Sequence, residues 1–257
     1  MIDLDLTGKR AVVTGASLGI GAATVKALAD QGAQVSFCAR NKAAVDELAG
    51  YSSDITGHVA DMGNADSINA FLDEVEADGG ADILINNVGS SPSRNFLYML
   101  DEDWMELYEL NLLSAVRCTR RLLPKMRQQK WGRVIMIASA AAKYPSAALI
   151  DYGTSKAAMI SMSKSLARKY GADGVLVNSV LPGLIHTAMW ERAATEIGKA
   201  TDSSMEVVIK NNGRNVPVGR YGTAEEVAAV IVFMSSNAAS YVNGVSMAVD
   251  GGQAGHI

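Results

Sequence analysis

The stretch RAVVTGASLGIGAATVKALADQG, from Arg10 to Gly32, passes from an apolar run through a glycine-rich turn directly into an amphipathic pattern. The part RAVVTG reads as a strand buried on both faces, since it is β-branched and uncharged after Arg10. The part IGAATVKALADQG reads as a helix with Gly32 as its C-cap. Between the two, Gly15, Gly19 and Gly21 follow a G-x-x-x-G-x-G spacing. In an open α/β sheet, ligands bind outside the carboxyl ends of the strands, where a helix N-terminus offers free N–H groups to a phosphate. Such a turn is either a phosphate cradle or a tight corner. Its position between the first strand and the first helix favours the cradle.

The alternation continues along the chain. AQVSFCA, ITGHVADM, ADILINN, GRVIMIAS, GVLVNSVLPG and GVSMAVDGG read as six further strands. Helical patterns cover Lys42 to Ala49, Ala65 to Asp78, about Asp101 to Gln129, Ile150 to Tyr170 and Thr223 to Ser236. Pro124 should disturb the end of the third of these, and Thr223 with Glu226 forms a capping box on the last. Strands alternating with helices imply right-handed crossovers and a parallel sheet covered on both faces, a doubly wound α/β fold. With no linker, repeat or shift in composition, the expected organisation is a single domain over residues 1–257. The irregular stretch from Pro182 to Arg220 is long for a crossover and is expected to cover something, as a lid at about 184–215.

The 257 residues are 49% hydrophobic and 19% charged, which supplies a large core and excludes disorder. A net charge of -4 argues against nucleic acid or an anionic membrane surface as partner. No apolar run reaches the roughly 20 residues that span a bilayer. The start, MIDLDLTGKR, carries acids where a signal peptide needs a basic region, so a cytoplasmic protein is expected. The two cysteines, Cys38 and Cys118, suggest no disulfide framework, and His58, His186 and His256 show no metal-ligand spacing.

At the end of the second strand, where an acid would bind a ribose 2′-hydroxyl, stand Ala39 and then Arg40. Arg40 is either the planar fork for a 2′-phosphate or a solvated side chain opening the next helix. The first reading favours NADP(H) and leaves NAD(H) possible. Asp61 either accepts from an adenine amino group or ends a strand in a turn. Asn87 and Gly89, in NNVG, either pass close to a ribose or simply turn the chain.

These residues resemble the short-chain dehydrogenase/reductase family over nearly the whole chain. The carriers are TGASLGIG, NNVG, Asn111 in the long helix, Ser139 after the fifth strand, YGTSK at Tyr152 to Lys156, and PGLIHT after the sixth. Val88 and Leu18 depart from the usual pattern, in the places of an alanine and of an often basic residue. The resemblance implies a seven-stranded Rossmann sheet, a nicotinamide cofactor, an alcohol or ketone substrate, and a dimer or tetramer. For the cofactor it points to Gly15, Ser17, Gly19, Ile20, Gly21, Arg40, Asp61, Met62, Asn87, Gly89, Tyr152, Lys156, Ile185 and Thr187.

The resemblance also assigns a catalytic set: Asn111, Ser139, Tyr152 and Lys156. A free phenol, with a pKa of about 10, is a poor acid near neutrality. Residues four apart share a helix face, so the Lys156 ammonium can sit beside Tyr152 and lower that value. Ser139 would bind the substrate oxygen, and Asn111 would hold a water relaying protons to Lys156. His186 reads as exposed and inert. Met189, Trp190, Met205 and Ile209 either line an apolar substrate mouth or pack the lid on the domain. Two rival functions stand beside a general ketone reductase. One is a 3-oxoacyl carrier-protein reductase, with Arg94, Lys125, Arg127 and Arg133 as candidates to meet an acidic carrier. The other is a catalytically silent nicotinamide-binding redox sensor.

Overall fold

The computed structural model describes residues 3–255; His256 and the side chain of Met189 lie outside that description. Its elements follow the alternation read from the sequence. They run β1 (Arg10–Thr14), α1 (Gly19–Asp30), β2 (Gln34–Ala39), α2 (Lys42–Ala49), β3 (Ile55–Val59), α3 (Ala65–Ala77) and β4 (Ile83–Asn86). After these come α4 (Asp101–Tyr108), α5 (Ser114–Gln128), β5 (Gly132–Ile137), α6 (Ile150–Tyr170) and β6 (Val175–Pro182). The chain ends with α7 (Ala188–Thr201), α8 (Met205–Arg214), α9 (Ala224–Ser235) and β7 (Ser246–Val249). Short polar side chains start several helices: Asn41 accepts from the Ala44 N–H at 3.1 Å and Asn64 from the Ser67 N–H at 2.9 Å. Thr223 and Glu226 form the expected reciprocal box at 3.2 and 2.8 Å.

All seven strands pair in parallel, in the order β3-β2-β1-β4-β5-β6-β7. The order reverses between β1 and β4, and at such a switch point the two following connections leave to opposite faces and open a crevice. Side chains alternate across the sheet. Val13, Ile83, Ile85 and Ile135 bury against α1 and α9, with Val25, Leu28, Val227 and Ile231 opposite. Val12, Leu84, Val134 and Met136 bury on the other face against Phe71 of α3, Leu122 of α5 and Met159 of α6. Cys38 and Cys118 are free and buried in this second layer, which pushes both thiols up to about 12. Among the described residues, no helix is long and apolar enough to cross a membrane.

Three expectations are corrected. The helix from Asp101 to Gln129 is not continuous: a π turn at Glu109–Leu113 separates α4 from α5. Pro124, by contrast, sits inside α5 without ending it. Both Pro124 and Arg120, whose carbonyl loses its donor, are exposed, so water can serve that carbonyl. The stretch from Pro182 to Arg220 is largely helical, a hairpin of α7 and α8. Asp202 turns it in the left-handed region at φ 49°, and Ser204 caps α8 by accepting from the Val207 N–H.

Candidate functional site

The carboxyl ends of β1 and β4 are stitched together at the switch point. Thr14 Oγ1 accepts from the N–H groups of Asn87 and Val88 at 3.1 and 3.2 Å. The Asn87 amide donates to the carbonyls of Thr14 and Gly15, both at 2.9 Å. Gly15 turns the chain at φ 66°, and a Cβ there would stand 2.8 Å from Val88 Cα. A Cβ on Gly21 would stand 2.6 Å from the Asn87 amide nitrogen. The glycines therefore bring backbone against backbone where side chains cannot fit.

Helix α1 begins in this turn with no side-chain cap and no acid in its first turn. Its first N–H groups, on Gly19, Ile20 and Gly21, are left to a ligand or water, beside the half-buried Ser17. An uncapped, acid-free N-terminus behind a glycine cradle fits a diphosphate. Thr187 closes the cradle from the far side, its methyl carbon 3.1 Å from where a Gly19 Cβ would be. Ile185 is buried beneath it and bridges to Gly222.

Along the crevice rim, Arg40 follows β2, is exposed, and forms no ion pair among the described residues. The Asp61 carboxylate accepts from the Gly63 N–H at 3.0 Å, so it does make the turn that ends β3. The Met62 side chain points into the core, 3.4 Å from the Cys38 sulfur, which leaves only its backbone to face the crevice.

The second half of the site lies where β5 and α6 meet. Ser139 caps a 3₁₀ turn at Ala140–Ala142, its Oγ accepting from the Ala141 N–H at 3.1 Å. Its hydroxyl proton is left to serve the Tyr152 oxygen. Burial pushes the Tyr152 phenol above its ordinary value, and a hydrogen bond with Ser139 pulls it back. Lys156 is only 3% exposed and has no carboxylate partner among the described residues; Nζ donates to the Ile137 carbonyl at 2.8 Å. Burial pushes its ammonium down to about 8. Nζ lies 5.9 Å from the centre of the Tyr152 ring, on the same side of α6. The expected lowering of the phenol by Lys156 is thus not found in the cofactor-free chain: burial raises it, and the lowering comes from Ser139.

Asn111 is fully buried in the π turn. Its Oδ1 accepts from the Ser90 N–H at 2.9 Å, and its amide donates to the Ser90 carbonyl at 3.0 Å and Ser155 Oγ at 3.1 Å. Ser155 in turn donates to the Tyr152 carbonyl at 2.8 Å. The wide turn lets one side chain satisfy both polar groups of Ser90, as a neighbouring strand would. A Cβ on Gly89 would lie 3.1 Å from Lys156 Nζ and 3.4 Å from Asn111 Oδ1, so these two groups converge on one small gap.

Asn111, Ser139, Tyr152, Lys156, Asn87 and Gly89 are thus brought together beside the cradle. Other candidates are not. His186 is exposed, 3.5 Å from Glu191. Trp190 packs its edge on Tyr221 at 5.8 Å, and Met205 and Ile209 are half-buried, which favours packing of the hairpin over an apolar mouth. The four basic residues do not converge either. Arg94 is held by Asp103, Glu106 and Asp151. Arg133 is 3% exposed and lies over the Trp131 ring at 4.3 Å. Lys125 and Arg127 line a groove of about 750 Å³ on the connections entering β4 and β5, away from the crevice. Thr14, Ser90 and Ser155 were not anticipated. Ser155 lies inside YGTSK, but its tie to Asn111 depends on the π turn.

Comparison with known proteins agrees with this fold. The family model described as short chain dehydrogenase matches residues 9–198. The uncharacterized oxidoreductase YvrD of Bacillus subtilis (strain 168) is 39% identical over 98% of each chain. The 3-oxoacyl-[acyl-carrier-protein] reductase FabG of Vibrio cholerae is 34% identical over 97% of this chain and 98% of its own. Among solved structures, L-sorbose reductase from Gluconobacter frateurii, complexed with NADPH and L-sorbose, superposes with a TM-score of 0.95. It is 32% identical, and the match covers 99% of this chain and 100% of that one.

Proposed function

The chain belongs to the short-chain dehydrogenase/reductase family, and we propose that it is an NADP(H)-dependent oxidoreductase interconverting a secondary alcohol and a ketone. The observation that carries this reading is the convergence of Tyr152, Ser139 and Lys156 beside a cradle suited to a diphosphate. A nicotinamide bound there supplies or takes up the hydride. Tyr152 donates its proton to the carbonyl oxygen during reduction. Its raised pKa keeps the phenol protonated and ready in the cofactor-free chain. Ser139, anchored by the Ala141 N–H beside Tyr152, donates its hydroxyl proton to the same oxygen. Lys156, with its ammonium near pH 8, exchanges protons easily and places positive charge behind the phenol. Asn111 holds Ser90 and Ser155 and converges with Lys156 beside Gly89, where the two polar groups would hold a relaying water. Ile185 and Thr187 close the nicotinamide end of the crevice.

The preference for NADP(H) rests on Arg40, exposed and without an acidic neighbour in ion-pair range, and is supported by the NADPH in the L-sorbose reductase complex. Asp61 and the Met62 backbone complete the adenine side. Residues 1–257 act as one cofactor-binding and catalytic domain, with the α7–α8 hairpin, about 184–215, as lid. Phe96, Leu97, Tyr98, Leu100 and Met105 are all more than half exposed. That apolar run supports a homo-oligomer, a dimer or tetramer. Reduction of a 3-oxoacyl group on an acidic carrier is supported by the names of several relatives, but Arg94, Lys125, Arg127 and Arg133 do not gather at the mouth to meet such a carrier. A catalytically silent nicotinamide-binding redox sensor is disfavoured because nothing in it would require Asn111, Ser139, Tyr152 and Lys156 together.

The test is nicotinamide absorbance with a panel of ketones, alcohols and 3-oxoacyl thioesters, run with NADPH and NADH in parallel. Tyr152→Phe should lower kcat by about 10²–10⁴-fold with the fold unchanged. A variant turning over at near the parent rate would end the assignment.

A further inference from the structure

The segment leaving β4 and the first turn of α6 are joined by a buried ion pair that the chemistry above does not use. Asp151, immediately before Tyr152, is 2% exposed. Its Oδ1 accepts the Tyr152 N–H at 2.8 Å, an amide that has no partner within the helix. Its Oδ2 lies 3.4 Å from the Arg94 guanidinium. Arg94 belongs to the same connection as Gly89 and Ser90. The guanidinium also donates to the Asp103 carbonyl at 3.0 Å and lies 3.4 and 3.6 Å from the Asp103 and Glu106 carboxylates of α4. One side chain therefore ties the β4–α4 connection, α4 and the first turn of α6.

The acids around Arg94 are unequal. Glu106 is mostly in water and Asp103 is partly so, whereas Asp151 is sealed. A sealed carboxylate without its counter-ion would set an unscreened negative charge on the residue that precedes Tyr152 in α6, and a like charge in this region opposes formation of the phenolate. The charged groups facing this region are Lys156 and Asp151 from α6, Arg94 from the connection, and Asp103 and Glu106 from α4.

We infer that Arg94 is a positioning residue: by neutralising Asp151 and pinning the β4–α4 connection to the start of α6, it holds Tyr152 against Ser139 and shields the phenol from the Asp151 charge. This rests on the reading of Tyr152 as the proton donor. Arg94 touches neither substrate nor reacting atoms. Its two effects, alignment and charge, separate by mutation, because Asn at position 151 still accepts the Tyr152 N–H but carries no charge.

The experiment uses the full chain, NADPH and NADP⁺, and a ketone–alcohol pair that the parent enzyme interconverts. Hydrogen exchange is followed on the cofactor-free protein. In Arg94→Gln, kcat should fall about tenfold or more while KM for NADPH moves little. The rising limb of kcat against pH for alcohol oxidation should shift upward by about half a pH unit or more. Amides of residues 89–95 and 150–153 should exchange faster. Adding Asp151→Asn should return the limb and most of kcat, and Arg94→Lys should keep both close to the parent. Arg94→Gln with parental kcat and limb, or a double variant no better than the single one, would overturn the inference. Should Arg94→Gln fail to fold, the double variant and Arg94→Lys carry the comparison: parental limbs in both support it, and a shifted limb in either overturns it. A parent enzyme that turns over nothing would remove the reading of Tyr152, whereas unchanged exchange in Arg94→Gln, or in the double variant if the single one does not fold, would remove the tie itself.

Discussion

Replacing Lys156 by methionine should stabilise the cofactor-free protein while abolishing its turnover. Burial pushes this ammonium from 10.5 to about 8, which corresponds to about 3 kcal/mol of disfavoured charge. A base whose folded pKa lies below its unfolded value destabilises the fold wherever it is protonated. The penalty is therefore present in full below about pH 8 and fades as pH rises toward 10.5. Methionine matches the length and suits the buried surroundings, but it leaves the Ile137 carbonyl without its donor, at a cost of about 1 kcal/mol. The net gain at pH 7 is about 2 kcal/mol. In a chain of this size that raises Tm by about 4–8 °C. Thermal unfolding followed by tryptophan fluorescence at pH 7 and pH 10 is the assay, with kcat measured on the same samples. The gain should largely disappear at pH 10. A Tm unchanged or lowered at pH 7, or a gain equally large at both pH values, would refute the claim that Lys156 is held as a strained charge.

Arg40→Ala should raise KM for NADPH by about 10–100-fold, the worth of charge-assisted hydrogen bonds to a phosphate, and leave KM for NADH nearly unchanged. Equal losses with the two cofactors would count against the phosphate role. Gly89→Ala places a methyl group 3.1 Å from Lys156 Nζ and 3.4 Å from Asn111 Oδ1. Because Gly89 needs no unusual backbone angle, Tm should hold while kcat falls about tenfold or more, read from melting curves and initial rates. Unchanged kcat would mean that the gap beside Gly89 plays no part in proton transfer.

Much of this molecule is written in local pattern. The bounds of α2, the cap at Thr223 and the seven strands follow from periodicity and capping chemistry, because burial on a sheet leaves a strong period-two or apolar signature. The π turn does not. A continuous apolar stripe runs through Glu109–Leu113, and only the demand of Ser90 for two hydrogen bonds makes the wider turn worthwhile. The α7–α8 hairpin is likewise obscured, because KATDSSMEVV mixes a turn with helix-capping residues that look like loop. The catalytic set is legible only as a combination, since Ser139 or Asn111 alone is an ordinary turn or packing residue. The dispersal of Arg94, Lys125, Arg127 and Arg133 depends on strand order, which no local window contains. The direction of the Tyr152 shift needed the depth of the site, since burial, not the neighbouring ammonium, sets it.

The π turn has a consequence for how this chain can vary. One surplus residue in a helix offsets everything before it by about 100° relative to everything after it. Excising a single position from Glu109–Leu113 would leave a regular helix that composition alone would rate as sound. Yet it would rotate the acids of α4 away from Arg94, or else swing Asn111 off Ser90, because both alignments are set by that one count. Single-residue deletions in this stretch should therefore be lost from a library selected for turnover, while substitutions at its solvent-facing position, Leu113, survive.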